Sequence, residues 1–131
     1  MSIQQKIKDL EYQIEALKAQ EHVAYEWGRA PIICELDDYS WHLGPEAYDE
    51  MNWQDAKAWC ELVGGELPPR DVLLQCFMNE DIKSEFKTEW YWSSTAFNAS
   101  HAWGQSFYNG TQDFTNKSIY NCVRAVKKVK I

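Results

Sequence analysis

Basic residues are scarce in this chain: 13 lysines and arginines stand against 20 aspartates and glutamates, a formal net charge of −7. Binding a phosphate backbone takes a cluster of lysine or arginine to release counterions. Only Lys127, Lys128 and Lys130 gather at all, which is too few, so nucleic acid is not an expected partner. Long apolar runs are also missing. No stretch reaches the roughly 20 residues that cross a bilayer as a helix, so membrane insertion is not expected. The N-terminal segment alternates charges with isolated aliphatics and lacks the apolar run of a secretory leader. The expectation is cytoplasmic synthesis without a signal peptide.

Catalytic and metal-binding patterns are absent as well. No two of Cys34, Cys60, Cys76 and Cys122 stand at C-x-x-C spacing, which argues against a zinc site, and without export reduced thiols are the default. His22, His42 and His101 are dispersed, none beside a carboxylate or cysteine in a motif. Asp37-Asp38 reads as a solvated turn rather than a ligand pair. Nothing forms a phosphate loop, and Ser93-Ser94 lack a nucleophile elbow. No catalytic residue, cofactor or metal is assigned, and the chain is not expected to be an enzyme.

What the chain does have is aromatic bulk. Seven tryptophans and seven tyrosines in 131 residues supply large burial to a single small core, and exposed aromatics also dominate binding surfaces. Between residues 35 and 61, eight acids (Glu35, Asp37, Asp38, Glu46, Asp49, Glu50, Asp55, Glu61) face the single base Lys57. Such a face is either solvated or meets a basic protein partner.

Ile3, Ile7, Leu10, Ile14 and Leu17 recur at spacings of 4, 3, 4 and 3, a heptad seam with isoleucine at a and leucine at d. Lys6 falls at g and Glu11 at the following e, so a parallel partner brings opposite charges together. Residues 1–27 are expected to form a coiled-coil oligomerisation helix, giving a homo-oligomer of two or three chains. At this length such a helix is marginal alone.

Residues 28–131 are expected to form one binding domain. Ile32-Ile33-Cys34 and Tyr39 to Leu43 read as strands around an Asp37-Asp38 turn, with Gly44-Pro45 ending the second. Asn52 caps a helix with Asp55 at its third position. Trp53, Ala56, Cys60 and Val63 form its inward stripe, and Gly64-Gly65 stops it. Pro68-Pro69 opens a second helix with Val72, Leu73, Cys76 and Phe77 as its apolar face, and residues 79–87 add a short turn. Strands follow at Trp90 to Thr95, Ala102 to Tyr108 and Cys122 to Val126, with Asn109-Gly110 as a hairpin turn. Thr111 to Asn121 reads as polar loop or irregular strand. The layout is α+β, ending in an antiparallel meander.

Asn52-Trp53-Gln54-Asp55-Ala56 through Cys60, then Gly64-Gly65-Glu66-Leu67-Pro68, resembles the W-x-x-A…C…G-G-x-L-P signature of C-type-lectin-like domains, in particular the sulfatase-modifying branch. Tyr91-Trp92-Ser93-Ser94-Thr95, Ala102-Trp103, Asn109-Gly110 and Val123-Arg124-Ala125-Val126 are similar to a bacterial family of unknown function with that fold, found in phage proteins and at the tip of a collagen-like adhesin. The resemblance covers about residues 32–128 and makes Trp53, Trp92 and Trp103 core anchors.

The Glu-Pro-Asn, Gln-Pro-Asp and Trp-Asn-Asp tripeptides of calcium-dependent lectins are missing, as is the cysteine pair of the enzymatic branch. Ala125 occupies the family's last-strand cysteine position, so the family disulfide to Cys60 is not expected; Cys122, three residues away, points the other way. The resemblance implies a ligand face in the second half of the domain: Phe97, Asn98, Ser100, His101, Gln105, Tyr108, Asn109, Gln112, Asp113, Asn116, Lys117, Tyr120 and Asn121. It implies a calcium-independent module for a protein or cell-surface polymer, of phage or prophage origin and virion-associated. The other reading is an accessory protein in the host cytoplasm that binds and inhibits a host protein.

Overall fold

The computed structural model describes the backbone of residues 3–21 and 25–131, and the side chains of residues 3–14 and 25–131. The seam position Leu17 and the residues Glu21, His22 and Ala24 fall outside the described side chains. The architecture is α+β. Helix α1 (Ile3–Glu21) comes first, followed by a single 3-10 turn (Trp27–Arg29) and strands β1 (Ile32–Leu36) and β2 (Tyr39–Glu46). Helices α2 (Trp53–Leu62), α3 (Arg70–Met78) and α4 (Glu80–Lys83) precede strands β3 (Trp90–Ala96), β4 (His101–Ser106), β5 (Gln112–Asn116) and β6 (Arg124–Lys130). Among the described residues, no helix is long and apolar enough to cross a membrane.

The strands form two three-stranded antiparallel sheets, ordered β1-β2-β6 and β3-β4-β5. This corrects the expected meander. The last strand leaves the β3-β4-β5 sheet and pairs with β2, Leu43 opposite Val126 and Tyr39 opposite Lys130. The segment before it bridges to β3, where the Cys122 N–H donates to the Trp90 carbonyl and the Trp92 N–H to the Cys122 carbonyl. β6 also runs past Val126 into the basic tail. Lys127 lies 5.8 Å from the Trp27 ring, and Lys128 and Lys130 lie 5.0 and 5.2 Å from the Tyr39 ring, so the lysines face rings rather than ending the strand. β2 likewise runs through Gly44-Pro45 to Glu46, where Arg124 of β6 is its partner.

Local signals explain most of the elements. Asp37 and Asp38 both have positive φ, 55° and 65°, the paired left-handed residues of a type I′ hairpin turn. The Asn52 side chain accepts the Asp55 N–H at 2.9 Å and starts α2. Gly64, at φ 88°, stops it. Pro69 is the residue before α3, and the Asn79 side chain caps α4.

Side-chain alternation along a strand divides the core in two. Tyr91 joins one buried cluster with Val72, Leu73, Cys76, Phe86 and Phe107, while Trp92 joins the other with Trp53, Ala56, Trp59 and Cys60. β3 is therefore covered on both faces. Near the C-terminus the same alternation sends Ala125 to the cluster of Cys60 and Cys122 to the opposite one, and the thiols are free. The buried indoles are satisfied: Trp53 Nε1 donates to the Ser93 carbonyl and Trp92 Nε1 to the Met51 carbonyl, each at 2.8 Å.

Candidate ligand-binding face

The face is built by the register of β4 and β5. Trp103 stands opposite Phe114, His101 opposite Asn116 and Gln105 opposite Gln112. Cross-strand partners share a face, so these six point away from the core side that carries Ala102. Helix α3 covers one end of this surface, and its first residue, Arg70, marks where the cover stops. Beyond Arg70 the sheet is open.

On the open part sits an aromatic platform. Phe97 and Phe114 stack with centroids 3.9 Å apart and planes 4° from parallel. Trp103 meets both edge-on, at 5.9 and 5.4 Å, and His101 approaches Phe114 at 6.0 Å. Phe97 and Phe114 are 49% and 40% exposed. The Arg70 guanidinium lies 3.6 Å from the Trp103 ring centroid.

A polar network holds Arg70 in place. Its Nε donates to Gln112 Oε1 at 3.0 Å. The Gln112 amide nitrogen donates to the Arg70 carbonyl and to Gln105 Oε1, each at 2.8 Å. Gln105 is 0% exposed. Its assignment to the ligand surface is thus corrected: α3 roofs it, and its carboxamide fixes Gln112.

The other expected site residues separate into groups. Asn98 Oδ1 accepts the Ser100 and His101 N–H groups at 2.9 and 2.8 Å, and Ser100 Oγ lies 2.7 Å from His101 Nδ1, so this loop is stiffened beside Phe97. Asn116 accepts similarly from Ser118. Lys117 reaches the Ala99 carbonyl and lies 4.3 Å from the Trp53 ring.

Tyr108 (79% exposed) and Asn109 occupy the turn at the opposite end of β4; over six residues at about 3.3 Å each they are too far to join the platform. Asp113 faces the opposite side of β5 from Phe114, paired with Gly104. Asn121 is bridged through its backbone to Met51. Tyr120 lies elsewhere, in a groove between α1 and the domain with Asp9, Tyr12, Tyr48, Asp49 and Glu50. The thirteen expected residues therefore do not form one site. Phe97 and His101 belong to the platform, and Gln105 and Gln112 hold its Arg70 from behind.

Trp103, Phe114 and Arg70 were not expected there. Trp53 and Trp92 are core anchors as expected, but Trp103 is not; it is half-buried on the outer face. The alternation His101-Ala102-Trp103-Gly104-Gln105 carries that signal, since the small residues face the packed side. Phe114 lies in the segment that reads as polar loop or irregular strand, and within it Gln112–Asn116 forms the regular strand β5.

The groups on this surface are aromatic faces, the Arg70 guanidinium, the Gln112 amide and the His101 imidazole. Burial raises all four thiols, with Cys122 and Cys76 pushed up to about 11 and about 12, which keeps them protonated. Among the described residues, no three of the types His, Cys, Asp and Glu come together as a metal site would need. Asp37 and Asp38 form the β1–β2 hairpin turn through their backbone. The chain matches no family model and no curated protein.

Proposed function

We propose that this chain is a non-enzymatic, calcium-independent binding module with a C-type-lectin-like fold, of phage or prophage origin, that takes a protein or cell-surface polymer on the face around Trp103. One observation carries the reading: a parallel pair of half-exposed phenylalanines, one from the β3–β4 loop and one from the edge strand β5, braced by Trp103, with an Arg70 held through Gln112 over the Trp103 ring. Stacked rings left in water forgo burial that the core would reward. Side chains already fixed in place lose little entropy when a partner covers them. The protonated thiols and the loop bonds of His101 support the non-enzymatic part. The order of the tryptophan, glycine and Tyr-Trp-Ser-Ser-Thr motifs supports the fold and phage assignment. The exposed heptad seam supports self-association as a means of presenting several such faces.

A second reading, an accessory protein that binds and inhibits a host protein, draws on the acidic groove. Asp9, Glu11, Asp49, Glu50 and Asp55 line it against Lys8, which suits a basic partner.

The test is retention on immobilised chain, using a glycan panel in chelator and a bacterial lysate, for wild type, Phe97→Ala/Phe114→Ala and Tyr48→Ala. The proposal expects a retained species that the phenylalanine pair abolishes and Tyr48→Ala leaves. Loss only with Tyr48→Ala favours the second reading, and no retained species on either material contradicts both.

A further inference from the structure

Helix α1 touches its own domain with the wrong face for an amphipathic cover. Ile3, Ile7, Leu10 and Ile14 are 77%, 48%, 56% and 50% exposed. The docking residue is Tyr12, whose hydroxyl donates to the Asp55 carbonyl at 3.0 Å and whose ring packs on the cluster of Trp53 and Trp59. At 3.6 residues per turn, Tyr12 lies about 140–160° around the axis from Ile7, Leu10 and Ile14. In heptad terms Tyr12 is at f, the position opposite the a/d seam. The domain therefore holds the back of the helix and leaves the whole described seam facing out.

We infer that a second copy of this chain covers that seam as a parallel two-stranded coiled coil. The occupant is chosen by charge and side-chain shape. Lys6 at g and Glu11 at the following e meet across a parallel pair, whereas an antiparallel partner sets e against e and g against g and separates them. Apart from Ile3 at the first d position, isoleucine at a (Ile7, Ile14) with leucine at d (Leu10) favours two strands. The Tyr12–Asp55 contact also answers the weakness of so short a helix, because docking orders it before association. It fixes each domain to the outer side of its own helix, so neither domain blocks the seam and the two platforms stand on opposite sides of one axis. The gain in avidity rests on the binding-module reading; the association itself does not.

Sedimentation equilibrium of the full chain across a concentration series tests this. The mass is expected to rise from 15.4 kDa to twice that value. Ile7→Gln/Leu10→Gln should leave a monomer with unchanged near-ultraviolet dichroism, since the aromatic core is untouched. Lys6→Glu should weaken association several-fold and Lys6→Glu/Glu11→Lys should restore it. A chain that stays monomeric throughout overturns the inference, a three-chain mass overturns the two-stranded form, and a charge swap that fails to restore overturns the parallel form. A monomer that still retains a ligand through Phe97 and Phe114 leaves the platform standing, so the two failures are distinguishable.

Discussion

Phe97 and Phe114 come from a hairpin loop and an edge strand, yet their rings stack 3.9 Å apart on the open side of the sheet. Neither ring is needed by the two core clusters. Phe97→Ala/Phe114→Ala should therefore cost stability little beyond the pair term, about 0.5–1.5 kcal/mol, while removing ligand retention. A thermal melt alongside the retention assay checks both. A variant that loses several kcal/mol would show that the rings are structural.

Trp27 fills a slot made by two glycines. A Cβ on Gly65 would sit 2.5 Å from the Val126 carbonyl oxygen and 2.9 Å from the Trp27 ring, and one on Gly44 would also collide with that ring. Trp27 Nε1 donates to the Val63 carbonyl at 3.0 Å. Gly65→Ala should destabilise by about 1–3 kcal/mol through overpacking. Gly28→Ala, whose Cβ meets nothing within 4 Å, should be neutral or stabilising by up to about 1 kcal/mol. Urea unfolding of the two variants decides it.

Glu46 is the hub of the half-buried charges. It accepts from the Tyr91 hydroxyl and pairs with Lys87 at 3.3 Å and Arg124 at 3.5 Å. Arg124 and Glu46 are only 12% and 16% exposed in their side chains. Glu46→Gln should cost about 2–4 kcal/mol because Arg124 is left without its counter-charge. Tyr91→Phe should cost less, about 1–2 kcal/mol. Chemical denaturation measures the ordering; equal or negligible losses would contradict it.

The buried thiols contribute to the alkaline limit, beside the Tyr91 hydroxyl that burial and Glu46 also push up. Burial pushes Cys76 from 9.0 to about 12; burial, with Glu50 and Glu46 nearby, pushes Cys122 from 9.0 to about 11. Above pH 9 the unfolded thiols lose protons that the folded ones keep, so stability is intact below that point and falls as pH rises through the folded values. The urea midpoint should drop between pH 9 and about 11, and Cys122→Ala should flatten the fall. At pH 8, half-exposed Cys34 should react with a thiol reagent before the buried Cys60, Cys76 and Cys122.

Local chemistry made several elements legible in the sequence. Asn52 announced α2, Asp37-Asp38 the first hairpin, and Gly64 the helix stop, because each acts within a few residues. Long-range pairing was not legible. The partner of β6 is chosen by Glu46 with Arg124 and by the rings beneath Lys127, Lys128 and Lys130, contacts 78 to 100 residues apart in sequence that no local pattern encodes.

The site divides the same way. Phe97 and His101, an aromatic and a polar residue in the second half of the chain, lie on the aromatic platform. Gln105 was misplaced because nothing local says that α3 lies over it. Trp103 was assigned to the core by its size, although Ala102 and Gly104 on either side mark the packed face. Leu17 remains a sequence assignment only.

The most direct test of the platform is a titration of isotope-labelled chain with the retained ligand, followed by NMR through the seven tryptophan indole signals and the backbone amides. The Trp103 indole and the amides around Phe97, His101 and Phe114 should shift, while the Trp53 and Trp92 indoles stay in place. Shifts gathered instead at Tyr48, Asp49 and Tyr120, or none near Trp103, would contradict the account.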